Sequence, residues 1–269
     1  MSNLPVTYAD LVAARDRLDD PRVVKPTPTE RSTSLGEMVD ADVILKLEHL
    51  QWTGSFKTRG AYNKIVQDVD RGIDAFIAAS AGNHAQGVAL AATTCGADAT
   101  IIMPENAPQA KIDATRGYGA EVQLVGKDFQ AAMTHAQELV ESTDAALVHA
   151  YDDPDIIAGQ GTLGLEMLEQ VPDVDTVFVP IGGGGLISGI ATAIKHDSPE
   201  TRVVGVQAAG ASTVHESLRK GIPVTLESVS TIADGIATGG ISEATPALID
   251  QHVATGVTLP ATATAQAPA

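Results

Sequence analysis

The feature that most constrains the fold is a regular alternation of short β-branched segments with alanine-rich segments of helical length. The first kind predicts strands at 43–47, 76–79, 100–103, 122–125, 176–179 and 203–206. The second kind predicts helices at 57–69, 84–95, 107–117, 128–142, 155–170 and 186–196. Such alternation indicates βαβ units, in which a helix is the crossover that parallel pairing of strands requires. We therefore expect an α/β protein whose sheets are mostly parallel and flanked by helices.

The charge of the chain narrows the classes of partner. Its 269 residues include 34 Asp and Glu against 17 Lys and Arg, a formal net charge of −17. Nucleic acids and anionic membranes both require a basic binding face, so neither is an expected partner. The acidity also predicts adaptation to a salt-accumulating cytoplasm, because molar salt screens the self-repulsion. An ordinary acidic protein is the alternative.

No segment predicts export, a membrane span or a cysteine-based site. The N-terminus lacks the basic stretch and apolar run of a signal peptide. The charge-free segments 75–97 and 177–194 contain Asn83 or Pro180, which suit a bilayer-spanning helix poorly. Cys95 is the single cysteine, so the sequence excludes an intrachain disulfide and a cysteine cluster for a metal. A cytoplasmic protein is therefore expected.

Four consecutive glycines, which we call the glycine loop, stand between a predicted strand and a predicted helix. Glycines let several backbone N–H groups point the same way, and a helix N-terminus adds positive partial charge. This context predicts a phosphate cradle, and the lack of a lysine in it suits a cofactor monophosphate. A flexible linker is the alternative. The residues of the predicted cradle are Gly182, Gly183, Gly184, Gly185 and Leu186.

Lys57 is the candidate nucleophile. It lies at the predicted start of a helix and directly follows Phe56. A helix N-terminus and low solvent access both disfavour the ammonium form, which makes the amine more nucleophilic. The adjacent Phe56 is a candidate to pack beside a planar ring. A surface lysine at a helix start is the alternative interpretation.

A third segment, which we call the serine loop (80–84), follows the predicted strand at 76–79 and leads into a helix. Its backbone N–H groups and the Ser80 hydroxyl predict a small anion site suited to a carboxylate. Ser80 is also a catalytic candidate beside Lys57, and Asn83 is a candidate donor to a phenolic oxygen. The alternative is a tight turn capped by Ser80, with His84 in a structural role. The candidates for binding a carboxylate are Ser80, Ala81, Gly82, Asn83 and His84.

Taken together, these elements resemble the threonine/serine dehydratases, which are fold-type II pyridoxal-phosphate enzymes and have serine racemases among their relatives. The matching segments, in the family's order, are 27–28, 34–35, 46–61, 79–87, 158–162, 180–186 and 232–237. The resemblance covers about residues 20–250 and fades after about Gly256. It implies a two-domain architecture like that of the tryptophan synthase β subunit. The implied parts are a large cofactor-binding domain of 1–53 with 155–258, a small α/β domain of 54–154, and a low-complexity tail of 259–269.

The resemblance also implies the chemistry. Pyridoxal 5′-phosphate would be bound covalently by Lys57, which would also remove the α-proton of the substrate. The glycine loop and Leu186 would bind the phosphate, Phe56 and Gly235 would lie near the ring, and Asn83 would donate to its phenolic oxygen. The reaction would be β-elimination from L-threonine or L-serine, giving 2-oxobutanoate or pyruvate and ammonia. A homo-oligomer and a place in amino-acid metabolism, including isoleucine biosynthesis, are implied as well.

Three departures from the family pattern bear on activity. Ala81 replaces a serine of the racemases, and alanine cannot carry a proton, so racemisation is expected to be weak. Gln207 and Thr213 replace carboxylates near which some relatives bind a divalent cation, so no metal is expected; potassium bound through carbonyls is the alternative. The family's C-terminal segment, which supplies a hydroxyl or thiol to the pyridine nitrogen, has no counterpart before Ala269. A truncated, non-catalytic remnant is therefore the alternative to an active lyase.

Overall fold

The computed structural model describes residues 4–241 and 245–260, in which helices alternate with strands. The helices are α1 (Tyr8–Arg17), α2 (Thr33–Val39), α3 (Lys57–Asp70), α4 (Asn83–Cys95), α5 (Gln109–Gly117), α6 (Phe129–Glu141), α7 (Pro154–Gln170), α8 (Gly185–Asp197), α9 (Thr213–Lys220) and α10 (Thr245–His252). The strands are β1 (Thr29–Arg31), β2 (Ile44–Lys46), β3 (Ala75–Ala79), β4 (Asp98–Met103), β5 (Glu121–Leu124), β6 (Ala146–Leu147), β7 (Thr176–Pro180), β8 (Arg202–Ala208) and β9 (Thr255–Leu259).

Two parallel sheets organise the described residues. One has the strand order β5-β4-β3-β6 and the other the order β7-β8-β9, and every neighbouring pair in both is parallel. Strands β1 and β2 form a separate antiparallel pair. Helix α4 is the crossover from β3 to β4, and α8 is the crossover from β7 to β8. The serine loop and the glycine loop thus both lie at carboxyl ends of parallel strands, where α/β proteins bind ligands. The predicted α/β class is confirmed.

Each sheet has its own apolar core. Phe76 and Ile101 of the first sheet belong to a buried cluster that includes the alanine-rich face of α4. Val177 and Val203 of the second sheet belong to another, in which Ile187 of α8 is fully buried. Burial on this scale, at about 1.5–3 kcal/mol for each large apolar side chain, fixes the crossover helices on their sheets.

Helix α7 packs between α3 and α8, and glycine backbones make both contacts close. A Cβ on Gly159 of α7 would lie 2.6 Å from Gly60 Cα of α3, and a Cβ on Gly189 of α8 would lie 2.5 Å from Gly161 N of α7. Real Cβ atoms do not approach other atoms so closely, so these crossings require glycine. Because α3 begins with Lys57 and α8 begins in the glycine loop, the two crossings set the position of the candidate nucleophile relative to that loop.

The predicted strands and helices agree with the structure to within two residues at each end. The pattern missed β1 and β6, which have three and two residues, and β9, which contains a glycine; it also missed α1, α2, α9 and α10. Its assignment of Leu259 to the tail is wrong, because Leu259 ends β9 and pairs with Ala208 of β8. Residues 261–269 of the predicted tail lie outside the described residues.

Two further predictions are the division into two domains and the absence of a membrane span. The first sheet runs from Ala75 to Leu147 and so lies inside the segment 54–154 that is predicted as the small domain. The division into two domains stays a prediction. Within the described ranges, none of the helices combines the length and the hydropathy that crossing a bilayer requires.

Candidate active site

Lys57 is the first residue of α3, and its amine is removed from water. Phe56 precedes it as the N-cap residue. Lys57 Nζ donates a hydrogen bond to Ala150 O at 2.8 Å and lies 5.3 Å from the centre of the Phe56 ring. Burial lowers the pKa of Lys57 to about 8, and no carboxylate of the described residues offsets this effect. At neutral pH the amine is therefore closer to its nucleophilic form than that of a surface lysine.

The serine loop is fixed by two hydrogen bonds at the end of β3. Ser80 N donates to Ile102 O at 3.1 Å, and Ser80 Oγ accepts from Gly82 N at 3.1 Å. Gly82 is the extended N-cap residue of α4, and Asn83 is exposed. Ser80 Oγ thus closes the turn before α4 without capping the helix itself, and this bond leaves the hydroxyl proton able to donate to a ligand. The first N–H groups of α4 lack partners within the helix, which suits them to an anion.

His84, the last residue of the serine loop, is buried, and one hydrogen bond fixes its tautomer. His84 Nε2 is 2.8 Å from Val148 O. Because a carbonyl oxygen only accepts, Nε2 carries the proton and Nδ1 is an acceptor. That Nδ1 atom is buried and has no hydrogen-bond partner among the described residues. Burial, with the charge of Lys57 as the second cause, lowers the pKa of His84 to about 3, so the ring is neutral.

Close packing of α4 on α3 brings the serine loop to Lys57. A Cβ on Gly87 would lie 3.1 Å from Lys57 C and 3.2 Å from Thr58 N. Residues three apart in a helix share a face, so His84 and Gly87 lie on the same side of α4. That side therefore faces the start of α3, where the candidate nucleophile is.

The glycine loop is held from two sides. Gly184 has a φ of 96°, a conformation that residues with a side chain rarely adopt. Tyr151 covers the loop: a Cβ on Gly183 would lie 2.4 Å from three atoms of the Tyr151 ring, and a Cβ on Gly185 would lie 3.0 Å from Tyr151 Cβ. From α10, Thr245 Oγ1 donates to Gly183 O at 3.1 Å. The loop backbone is therefore confined at the start of α8, as an anion cradle requires.

The remaining candidates lie around the glycine loop. Phe56 and Leu186 are partly buried and pack against the same apolar cluster of the second sheet. Gly235 belongs to a 3-10 turn, Asp234–Ile236. A Cβ on Gly182 would lie 3.5 Å from the Cα of Ile236, the last residue of that turn. Lys57, the serine loop and the glycine loop thus lie in one region of the structure.

A segment that the sequence analysis did not single out connects all three. Ala150 O accepts the hydrogen bond of Lys57, and the next residue, Tyr151, covers the glycine loop. His149 Nδ1 accepts from Asp152 N at 2.8 Å, and its ring stands edge-on to that of Tyr151 with centres 4.8 Å apart. In the sequence, this segment could have been found as a histidine and a tyrosine that follow a strand. It was missed because β6 has only two residues and shows no pattern.

The segment predicted to lack a metal uses Gln207 for internal bonding. Gln207 Oε1 accepts from His215 N at 3.0 Å, and its Nε2 donates to Ala211 O at 3.3 Å. In the part of the chain that the structure describes, no three His, Cys, Asp or Glu side chains are grouped as metal ligands.

Gly183→Ala should lower the free energy of unfolding by about 1–3 kcal/mol, because the new Cβ would overlap the Tyr151 ring. The same overlap should displace the glycine loop and weaken the binding of a phosphate-bearing ligand. Urea unfolding followed by circular dichroism measures the first effect, and titration with the ligand measures the second.

Gly117→Ala is the matched control, because a Cβ at this position of α5 meets nothing within 4 Å. Alanine there should leave stability unchanged or raise it by up to about 1 kcal/mol. Adding Tyr151→Ala to the Gly183→Ala variant should recover stability, since it removes the overlapping ring. Equal responses of the two glycine variants would contradict the contact between Tyr151 and the glycine loop.

Comparison with known proteins finds consistent similarities. A family model described as pyridoxal-phosphate dependent enzyme matches residues 21–268. An L-threonine ammonia-lyase of Thermotoga maritima is 47% identical over 252 residues, which are 92% of this chain and 62% of that protein. The structure of the processed form of threonine deaminase isoform 2 from Solanum lycopersicum superposes with a TM-score of 0.88 at 40% identity, covering 94% of this chain and 75% of that one. Maize serine racemase gives a TM-score of 0.93 at 35% identity, covering 98% and 79%.

Two consequences concern the extent of the match. The family match reaches residue 268, so the expectation that the resemblance fades near Gly256 is wrong. The chain spans 62% of the length of the curated relatives that it matches.

Proposed function

Because the chain belongs to the family of pyridoxal-phosphate dependent enzymes, with threonine dehydratases among its relatives, we propose that it deaminates L-threonine or L-serine. The products are 2-oxobutanoate from threonine or pyruvate from serine, together with ammonia. One observation supports the proposal most: the desolvated amine of Lys57, whose backbone packs against α4, donates to Ala150 O, one residue before the tyrosine that covers the start of α8.

The residues of the site fit pyridoxal 5′-phosphate. Lys57, with a pKa of about 8, would supply the neutral amine that attaches the cofactor through its aldehyde carbon. Its phosphate suits the glycine loop, where Gly183 has no room for a side chain and the start of α8 favours an anion. Phe56 is suited to pack on the flat ring and Asn83 to donate to the phenolic oxygen, and a Cβ on Gly235 would meet no atom of the described residues within 4 Å. When bound, the cofactor withdraws electrons from the carbon that loses a proton.

Each group of the protein has a separate task in this proposal. Lys57 would hold the cofactor through its amine, and once that amine is free, Lys57 Nζ would remove the α-proton of the substrate. Ser80 Oγ and the N–H groups at the start of α4 hold the substrate carboxylate. The charge of that carboxylate is then met by the positive end of the helix. The partial burial of the site excludes water and strengthens these contacts.

The experiment that tests the function measures products. The purified chain, loaded with pyridoxal 5′-phosphate in high KCl, is incubated with L-threonine, L-serine and D-threonine. We expect a 2-oxo acid and equimolar ammonia from the L-amino acids only. Bound cofactor without a 2-oxo acid from either L-amino acid would contradict the proposal.

Ala81→Ser should increase racemisation relative to elimination. A hydroxyl can donate and accept a proton and a methyl group cannot, so this variant gains an acid/base group in the serine loop. Chiral chromatography of the serine left after incubation measures D-serine for the wild type and the variant. Ala97→Ser, beyond the other end of α4, is the control. An unchanged D-serine yield in an Ala81→Ser variant that still eliminates would show that position 81 does not select the reaction.

We also propose that the protein is adapted to high salt. At a net charge of −17, mutual repulsion of carboxylates destabilises the fold, and molar salt screens it. The melting temperature should therefore rise as KCl is raised towards molar concentration; a fall would contradict the proposal. A cytoplasmic location, a homo-oligomeric state and a role in isoleucine biosynthesis stay predictions, and light scattering on a sizing column tests the second.

A further inference from the structure

We propose that His84 is a positioning residue for Lys57, acting through the short backbone segment 148–150. The inference rests on the proposed function in one respect, that Lys57 is the residue to which the cofactor attaches. It goes beyond it by giving the buried imidazole a task that neither substrate binding nor proton transfer supplies.

Two helices hold the same backbone segment by hydrogen bonds from their first turns. His84 Nε2, from α4, donates to Val148 O at 2.8 Å. Lys57 Nζ, from α3, donates to Ala150 O at 2.8 Å. The two carbonyls are two residues apart, so a shift of one moves the other.

The segment is tied to β3 at its start and closed into a local turn around His149 at its end, and His84 supplies a further bond to it from α4. Val148 N donates to Ile77 O of β3 at 2.8 Å. Downstream, the N–H groups of Tyr151 and Asp152 donate to His149 Nδ1 at 3.3 and 2.8 Å. The His84 bond is the side-chain contact that fixes Val148 O, the carbonyl two residues before that of Ala150. Without it Val148 O would be a buried acceptor with no donor, and the segment would move to find one.

The chemistry of His84 agrees with a donor role only. Its ring is fully enclosed and neutral, so it is unsuited to moving protons near neutral pH. Its Nδ1 is buried and has no hydrogen-bond partner in the described residues. A buried polar atom without a partner costs free energy, and an apolar side chain of the same shape would not carry that cost. The imidazole is therefore explained by its Nε2–H group. The other titratable groups around Lys57 are His149, whose pKa burial lowers, and Tyr151, whose pKa burial raises; Asp152 acts on both.

Two substitutions separate the donor from the rest of the ring. His84→Gln places an amide N–H where Nε2 lies and keeps the bond to Val148 O, whereas His84→Asn is too short to reach it. The probe is pyridoxal 5′-phosphate alone, and the readout is the rate at which the visible absorbance of the lysine-bound cofactor forms, measured as a function of pH. We expect His84→Asn to slow attachment by about 10- to 100-fold, since misplacement of a reacting group by about 1 Å has effects of this size.

The pH midpoint of attachment gives a second signature, which a general loss of packing would not produce. The bond to Ala150 O stabilises the ammonium form of Lys57 more than the neutral amine. Its loss in His84→Asn should therefore move the midpoint to lower pH. His84→Gln should keep both the rate and the midpoint of the wild type. Equal slowing in both variants, or none in His84→Asn, would overturn the proposal.

A measurement on the wild type covers the case in which His84→Asn does not fold. The ¹⁵N shifts of the His84 ring should report a neutral, Nε2-protonated imidazole throughout pH 5–8. An Nδ1-protonated or titrating ring would overturn the proposal. Neither readout requires turnover. If the chain attaches the cofactor and forms no 2-oxo acid, that result contradicts the proposed function and leaves the His84 proposal standing. If the wild-type chain forms the 2-oxo acid and both variants attach the cofactor at the wild-type rate, that result contradicts the His84 proposal and leaves the proposed function standing.

Discussion

Lys57→Ala should abolish attachment of the cofactor and reduce deamination by at least about 1000-fold. In the proposed function Lys57 has two roles, which are lost at once: its amine bonds the cofactor, and it is the base that takes the α-proton. A positioned base accounts for about 10²–10⁴-fold. The variant should fold at least as stably as the wild type, because the removed amine is desolvated and its pKa is lowered to about 8 by burial alone.

The measurement is the rate of 2-oxo acid formation from L-threonine at saturating cofactor, with circular dichroism to show that the variant is folded. Lys127→Ala is the matched control, because Lys127 is an exposed lysine beside the first sheet. It should retain the wild-type rate. A folded Lys57→Ala variant that keeps more than about a tenth of that rate would remove Lys57 from its assigned role.

Arg59→Met should lower the free energy of unfolding by about 3–5 kcal/mol, the largest effect on stability that we expect. Arg59 is only 2% exposed. Its guanidinium donates to both carboxylate oxygens of Glu48, at 2.9 and 2.8 Å, and lies 2.8 Å from a carboxylate oxygen of Glu166. The substitution leaves two largely buried carboxylates. Among the described residues, Glu166 keeps a cation, Lys46 at 2.5 Å, and Glu48 keeps none.

The network joins elements that are far apart in sequence. Thr27 O accepts from Lys46 Nζ at 2.6 Å, and Thr27 Oγ1 donates to Glu48 at 2.5 Å. Through Glu166 the network reaches α7, and through Arg59 it reaches α3 two residues after Lys57. The substitution should therefore also slow cofactor attachment by loosening the start of α3.

Urea unfolding of matched variants tests the network. Arg31→Met removes a cation from an exposed pair with Asp42, and it should change stability by no more than about 0.5 kcal/mol. Adding Glu48→Leu to Arg59→Met should recover part of the loss, because it removes the carboxylate that lost its partner. Similar effects of Arg59→Met and Arg31→Met would show that the buried network does not stabilise the fold.

Acid should weaken the same network. Burial raises the pKa of Glu166, but Arg59 and Lys46 outweigh this, so the pKa lies below its ordinary value. A carboxyl with a lowered pKa in the folded state contributes stability above its ordinary pKa and loses it as the pH falls through the folded value. His84 acts in the same direction between its ordinary value of 6.5 and about 3, because only the unfolded chain binds a proton there.

Local patterns were sufficient for the parts of the fold and site that lie within one element and its flanking loop. Strands followed by glycine- or serine-rich turns and helices predicted both loops and the start of α3 at Lys57. The order of strands within the sheets, with β6 beside β3, depends on pairing between distant residues and leaves no local pattern.

The features that remained hidden are contacts across elements. The bond from Lys57 to Ala150 spans 93 residues, and the contact of Tyr151 with the glycine loop follows a strand of only two residues. The tautomer of His84 is set by a carbonyl 64 residues away. Sequence patterns identified which residue types take part, whereas packing decides which of their atoms meet.

The most direct test of the account is the visible absorption spectrum of the purified chain in high KCl with pyridoxal 5′-phosphate, recorded before and after addition of L-threonine. The account predicts an absorbance band of protein-bound cofactor that is absent in Lys57→Ala. It further predicts that L-threonine changes this band while a 2-oxo acid accumulates. A folded wild-type chain that shows no bound-cofactor band at any cofactor concentration would contradict the account.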